Sequence, residues 1–244
     1  DIDCNDPGFA FVAAVKSILF AAALSVVCSS LLTIASTGLK EYQLKNIALD
    51  KQKNILKSVG LVDVKKAPSP ETINALYAKN IRQMWVDFDG KLVSEQEKGE
   101  NDLSVYLYVL DDKIASYIIP VDSRGLWGRI LGYLALKNDG ATVSGFTVYG
   151  HSETPGLGGE IEKPWFQQNF SGKNILDSQG NLVSVTIAKG QVKDRVPEKR
   201  QPNFVDGISG ATLTGKYLSG GLKKILIEYE PLSEKFRKKE VRYE

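Results

Sequence analysis

The sequence predicts an α+β fold: a mainly antiparallel sheet with flanking helices, preceded by one N-terminal transmembrane helix. Three observations carry this. Strand-like stretches come in hairpin pairs rather than alternating with helices. Residues 17–35, SILFAAALSVVCSSLLTIA, contain no charged side chain. KPWFQQNF and TGKYLSGGLKKILIEYE, farther along, read as helices. The expected boundaries are 1–37 for the tail and transmembrane helix, 38–66 for a juxtamembrane helix and linker, and 67–244 for the folded domain.

With FAFVAAVK before it, the apolar run covers a bilayer core of about 30 Å at about 1.5 Å per residue. A secretory signal has a shorter apolar core. A lipoprotein needs a small residue before the modified cysteine, and Val27 precedes Cys28. A retained span is therefore expected. Lys40, Lys45, Lys51 and Lys53 follow it, and charge bias alone places the following domain in the cytoplasm.

Leu39, Tyr42, Leu44, Ile47, Leu49, Ile55, Leu56 and Val59 repeat with a loose helical period, so the helix is expected to continue out of the membrane. KKAPSPET, with Pro68 and Pro70, breaks it. LSVYLYVL and KIASYIIPV flank Asp111-Asp112, and GRILGYLALK and ATVSGFTVYG flank Asn138-Asp139-Gly140; both read as hairpins. NLVSVTIAKG reads as a further strand, and the charged end EKFRKKEVRYE as a surface tail.

The 244 residues carry 31 basic and 29 acidic side chains, a near-balance that gives no case for nucleic acid. Cys4 and Cys28 lack a metal-type spacing, which speaks against a cysteine-held metal centre within this chain. Cys28 reads as a thiol in a helix–helix contact, with ligation of a metal shared with another subunit as the alternative. His151 is the single histidine.

The chemistry gathers in DGISGATLTGK, residues 206–216. GATLTGKY almost matches a P-loop, but Tyr217 stands where a small hydroxyl should meet Mg²⁺, and no parallel strand leads in. GISGA nearly matches a nucleophile elbow, but Ala211 replaces the last glycine and the histidine lies upstream. Two readings stay open: a phosphate held at a helix N-terminus, or plain N-capping by Ser209 or Thr212.

Asp206-Gly207-Ile208-Ser209-Gly210-Ala211-Thr212 resembles the flavinylation motif of the FMN-binding domain family. HSETPGLGGEIEKPWF (151–166), GLWG (125–128) and ALDKQKNIL (48–56) are similar to segments of the C-subunit family of sodium-translocating NADH:quinone reductases. The related G subunit of Rnf ferredoxin:NAD complexes shares the motif and the single span. The resemblance implies an electron-transfer subunit of a membrane redox complex, with no stand-alone catalysis. It implies FMN joined to Thr212 by a phosphoester bond, placed there by a flavin transferase from FAD. Ser209, Gly210 and Ala211 would shape the turn around the phosphate. Asp206 would fix that turn, serve transferase recognition, or cap a helix. Glu153, Thr154, Leu157, Gly158 and Gly159 would pass close to the flavin, with Leu157 on the ring face and Glu153 bonding or tuning the ring. Trp127 would be either a flavin contact or a core aromatic, and His151 structural. The resemblance also implies a bacterial inner-membrane protein with its flavin domain in the periplasm, against the lysine bias. A membrane-anchored module binding phosphate noncovalently, and a hydrolase using Ser209, are the readings from other classes.

Overall fold

The computed structural model describes residues 7–62 and 68–241. Cys4 and most of the expected linker's end, at 63–67, lie outside them. The chain divides into two compact units, Asp1–Ala48 and Leu49–Glu244.

The first unit is built from helix α1 (Pro7–Ser58), whose last part, from Leu49, belongs to the second. From Ala14 onward α1 is long and apolar enough to cross a membrane, and its most apolar stretch is not buried by protein. Ile18, Phe20, Leu24, Val27, Leu31 and Ile34 are all exposed. Ser25, Ser30 and Thr33 donate to carbonyls four residues back, each at 2.8 Å, so their hydroxyls need no outside partner in lipid. This fits a single-pass membrane anchor. Cys28 is a free thiol on its exposed surface.

In the second unit, α2 (Pro70–Asn80) starts where Ser69 accepts the Thr72 amide at 3.3 Å and proline takes the first turn. Six strands follow: β1 (Ile81–Val86), β2 (Leu92–Val93), β3 (Leu103–Leu110), β4 (Lys113–Arg124), β5 (Arg129–Lys137) and β6 (Val143–Gly150). They form one sheet in the order β2-β1-β3-β4-β5-β6, antiparallel at every pair. Alternation along β4 sends Tyr117, Ile119 and Val121 to one core and Ile118 to another on the opposite face. The second core is closed by Ile55 and Leu56 of α1 and Ile73 of α2.

Beyond β6 come a 3₁₀ turn (Gly158–Glu162), α3 (Pro164–Gln168), β7 (Thr186–Ile187), α4 (Val192–Arg195), a second 3₁₀ turn (Glu198–Asn203) and β8 (Phe204–Val205). Two longer helices end the chain, α5 (Thr212–Glu228) and α6 (Glu230–Arg237). Leu218, Leu222 and Leu226 recur every four residues on α5 and are fully buried in the first core.

Both hairpins form. Asp111 and Asp112 make a two-residue turn at positive φ, 48° and 58°, the twist a tight hairpin needs. The second hairpin closes through a wider loop, in which Asp139 accepts the Ala141 and Thr142 amides at 2.9 and 2.8 Å. Two expectations need correction. NLVSVTIAKG is not one strand: Leu182 makes an isolated antiparallel bridge to Leu176, and only β7 pairs as a strand, in parallel with β8. Ser184, at φ 74°, kinks the run, and its amide shares the Ile175 carbonyl with that of Val183. The charged end is not all surface tail either. Phe236 of α6 is buried and stacks on Tyr117 with ring centroids 4.3 Å apart, and the Tyr117 hydroxyl bonds Ser233 at 2.8 Å.

Candidate functional site

Three segments meet at the start of α5: the β4–β5 loop around Trp127, the stretch after β6 from His151 to Glu162, and residues 206–214. A turn closed by the Ala211 amide on the Ile208 carbonyl leads into the helix, with Gly210 at φ 75°. A side chain at Gly210 would be strained there, and its Cβ would come within 2.6 Å of Leu157 Cδ2. That places Leu157 at the turn just before Thr212.

Neither Ser209 nor Thr212 caps the helix. Ala211 occupies the N-cap with no side-chain bond, Thr212 is the first helical residue, and Ser209 is exposed outside it. The amides of Thr212, Leu213 and Thr214 therefore have no partner among the described residues. The first turn carries no acidic side chain. Thr212 itself is an exposed residue at this helix start. Such a helix start favours an anion.

Asp206 is occupied elsewhere. Its Oδ1 accepts the Val192 amide at 2.6 Å, capping the start of α4 from fourteen residues away. The adjoining Gly207 amide bonds the Gly190 carbonyl at 2.8 Å.

Glu153 is buried, and both carboxylate oxygens are taken inside the protein. Oε1 accepts the Trp127 amide at 3.0 Å and Oε2 accepts the Thr214 hydroxyl at 2.5 Å. It thus ties the Trp127 loop to α5 rather than offering a free oxygen to a ring. His151 Nδ1 accepts the Glu153 amide at 3.1 Å, and its Nε2 lies 3.3 Å from Glu162. The Lys163 ammonium, with His151 beside it, holds the Glu162 carboxyl below its usual range. Both ring nitrogens of His151 thus face partners within the loop.

Two of the loop's three glycines face inward, and Gly156, at φ 74°, is exposed. Gly158 and Gly159 are buried, and the Gly159 amide bonds the Thr154 carbonyl at 2.9 Å. Thr154 itself is exposed and its carbonyl also takes the Leu157 amide at 3.1 Å. Trp127 is no core aromatic: it is 69% exposed, with Leu157 at 43% and Leu213 at 49%. An exposed hydroxyl, three free amides and neighbouring exposed apolar side chains suit a phosphate ester carrying a flat ring. Leu213 and Thr214 were not singled out from the sequence, although the second threonine of GATLT was there to be read. Among the described residues no cluster could hold a metal ion.

A model of the FMN-binding domain matches residues 125–227, from the Trp127 loop through α5. The C subunit of the Na(+)-translocating NADH-quinone reductase of Vibrio anguillarum is 35% identical over 228 residues, covering 82% of this chain and 85% of the relative. The chain belongs to this C-subunit family. The Pseudomonas aeruginosa member is 33% identical over 231 residues, covering 82% and 87%. The crystal structure of the Parabacteroides distasonis member, 29% identical, superposes with a TM-score of 0.67 over 80% of this chain and 96% of that one. Members of the family are components of an oxidoreductase complex, so this chain is one part of a multi-subunit enzyme.

Proposed function

We propose that this chain is the electron-carrying C subunit of a sodium-translocating NADH:quinone reductase, with FMN attached through a phosphoester bond to Thr212. The observation that carries the reading is the exposed Thr212, a hydroxyl-bearing residue that opens a long helix whose first three amides are unpartnered among the described residues. Bound there, FMN would supply reversible uptake of one or two electrons, exchanged with redox groups of the other subunits. The amides of Thr212 to Thr214 hold the phosphate, and Ser209, Gly210 and Ala211 keep the turn open around it. Leu157 and Trp127 give the ring an apolar seat. Glu153, Gly158, Gly159 and the Thr154 carbonyl fix the loop that presents Leu157. The attachment runs through the phosphate, so it anchors the carrier without acting directly on ring electronics.

A flavin transferase with FAD as donor installs the group. Residues 14–36 carry no carboxylate, so this chain is not expected to translocate the ion by itself. The domain lies on the periplasmic side of a bacterial inner membrane, partner subunits overriding the weak lysine bias of one span. Protease added to sealed, oriented vesicles is expected to cut within 100–244 from the periplasmic side; cutting only from the cytoplasmic side overturns this placement.

The deciding experiment is a denaturing gel under ultraviolet light, wild type beside Thr212→Ala, after co-expression with the transferase. A fluorescent wild-type band that is dark in the variant is expected. Two dark bands, with no FMN adduct in the intact mass, overturn the reading.

A further inference from the structure

We infer that Glu153 is the positioning residue of the attachment site, and the reason that Thr212 rather than Thr214 is the acceptor. This rests on the reading of Thr212 as the flavin-bearing residue.

Two threonines stand two positions apart with the same hydroxyl chemistry. Their surroundings differ. Thr214 is 2% exposed and its hydroxyl is committed to Glu153 at 2.5 Å. Thr212 is exposed, and its hydroxyl has no partner among the described residues. In the transfer, Thr212 Oγ1 bonds the flavin-side phosphorus of FAD. The pyrophosphate bond breaks, AMP leaves with the electron pair, and the hydroxyl proton passes to the transferase. A hydroxyl sequestered in the interior cannot approach that phosphorus.

Glu153 touches none of the reacting atoms. It acts through its partners. A buried carboxylate is costly unless hydrogen-bonded, so its bonds to the Trp127 amide and Thr214 restrain the segments they join. Two glycines keep room for it. A Cβ at Gly125 would lie 2.5 Å from Oε1, and one at Gly158 would lie 2.7 Å from Oε2 and 2.6 Å from the Thr214 hydroxyl. The β4–β5 loop, the Leu157 loop and the first turn of α5 are thus held around one carboxylate.

The test incubates the full chain in detergent with flavin transferase and FAD, comparing wild type, Glu153→Ala, Glu153→Gln and Thr214→Val. Intact mass gives the loading rate, peptide mapping the site, visible absorption the ring environment, and thermal melting the fold. Wild type is expected to carry FMN on Thr212 alone. Glu153→Ala loads about tenfold more slowly or worse, the scale of one lost hydrogen bond to a carboxylate, and shifts the flavin absorption. Glu153→Gln restores most of the rate, because it keeps an acceptor for the amide and a polar partner for Thr214. If Glu153→Ala melts below the assay temperature, Thr214→Val carries the test. It keeps the shape, removes only the bonded hydroxyl, and is expected to load slowly while folded. Wild-type loading with unchanged absorption in the folded variants overturns the inference, as does FMN on Thr214 of the wild type. A wild type bare of FMN overturns instead the reading beneath it.

Discussion

The hairpins between Leu103 and Gly150 and the segments between His151 and Thr214 both depend on carboxylates that accept amides, but at different reach. In the hairpin loop, Asp139 takes the amides of Ala141 and Thr142, two and three residues on. At the site, Asp206 takes an amide fourteen residues back, and Glu153 takes a hydroxyl sixty-one residues away. Around Asp139 the strands already pair along nearly their whole length, so the carboxylate finishes a structure that other bonds define. Between His151 and Thr214 there is little ladder among the described residues: the short pairing of β7 with β8 and isolated bridges. Single side chains there set where the segments lie. A surface that must present a hydroxyl and bare amides cannot use those same groups to hold itself together, so buried and half-buried acids do it instead.

The comparison breaks first at Asp206. Removing its carboxylate with Asp206→Ala leaves the Val192 amide without its partner and frees the segment before α5. The expected cost is about 1–3 kcal/mol. For a folded unit of this size, that is about 2–4 °C in melting temperature for each kcal/mol. Asp206→Asn keeps the acceptor and is expected to recover most of the loss. Melting curves of the three proteins decide it. If Asp206→Ala melts with the wild type, the long-reach bond does not organise the site, and the motif aspartate serves recognition by the transferase alone.

The same difference in reach explains what the sequence disclosed. The hairpins were legible because their turn residues and alternating apolar positions lie within a few residues of one another. Asp111-Asp112 and Asp139-Gly140 state their turns locally. The apolar span and the leucines of α5 were legible by the same short-range periodicity. Thr212 was singled out through a motif, and in the fold it is an exposed residue at the first turn of α5. The work of Glu153 was not legible, because nothing local to HSETPGLGG points to Thr214 or to the Trp127 amide. The need for a glycine at 158 was hidden for the same reason. The missing side chain of Gly158 makes room for Glu153 and for the Thr214 hydroxyl, a group distant in sequence. The kink at Ser184 was likewise hidden, since the Ile175 carbonyl that two amides share is nine residues away. Phe236 read as part of a charged tail because its partner, Tyr117, sits on the far earlier strand β4.

The smallest expected effect sharpens the comparison from the hairpin side. Burial works to raise the Asp139 pKa, but bonds from Thr142 and the Ala141 amide, with Lys137 nearby, win and hold it below its ordinary value of 3.8. A depressed carboxyl pKa means that the unfolded chain binds the proton first as pH falls. Its stabilisation is therefore complete above the unfolded value and is lost as pH drops through the folded one. Asp139→Asn keeps an acceptor for both amides and removes only the charge. Because the loop is exposed and screened by solvent, the variant is expected to lose under about 1 kcal/mol near neutral pH. The gap in melting temperature between wild type and variant should be open at about pH 6 and close by about pH 2, where the wild-type carboxyl is also neutral. A gap that persists unchanged at acid pH would show that amide geometry, not charge, is what Asp139 contributes. The hairpin acid would then differ from Asp206 in reach alone, and the loop would owe nothing to the ionised state of its carboxylate.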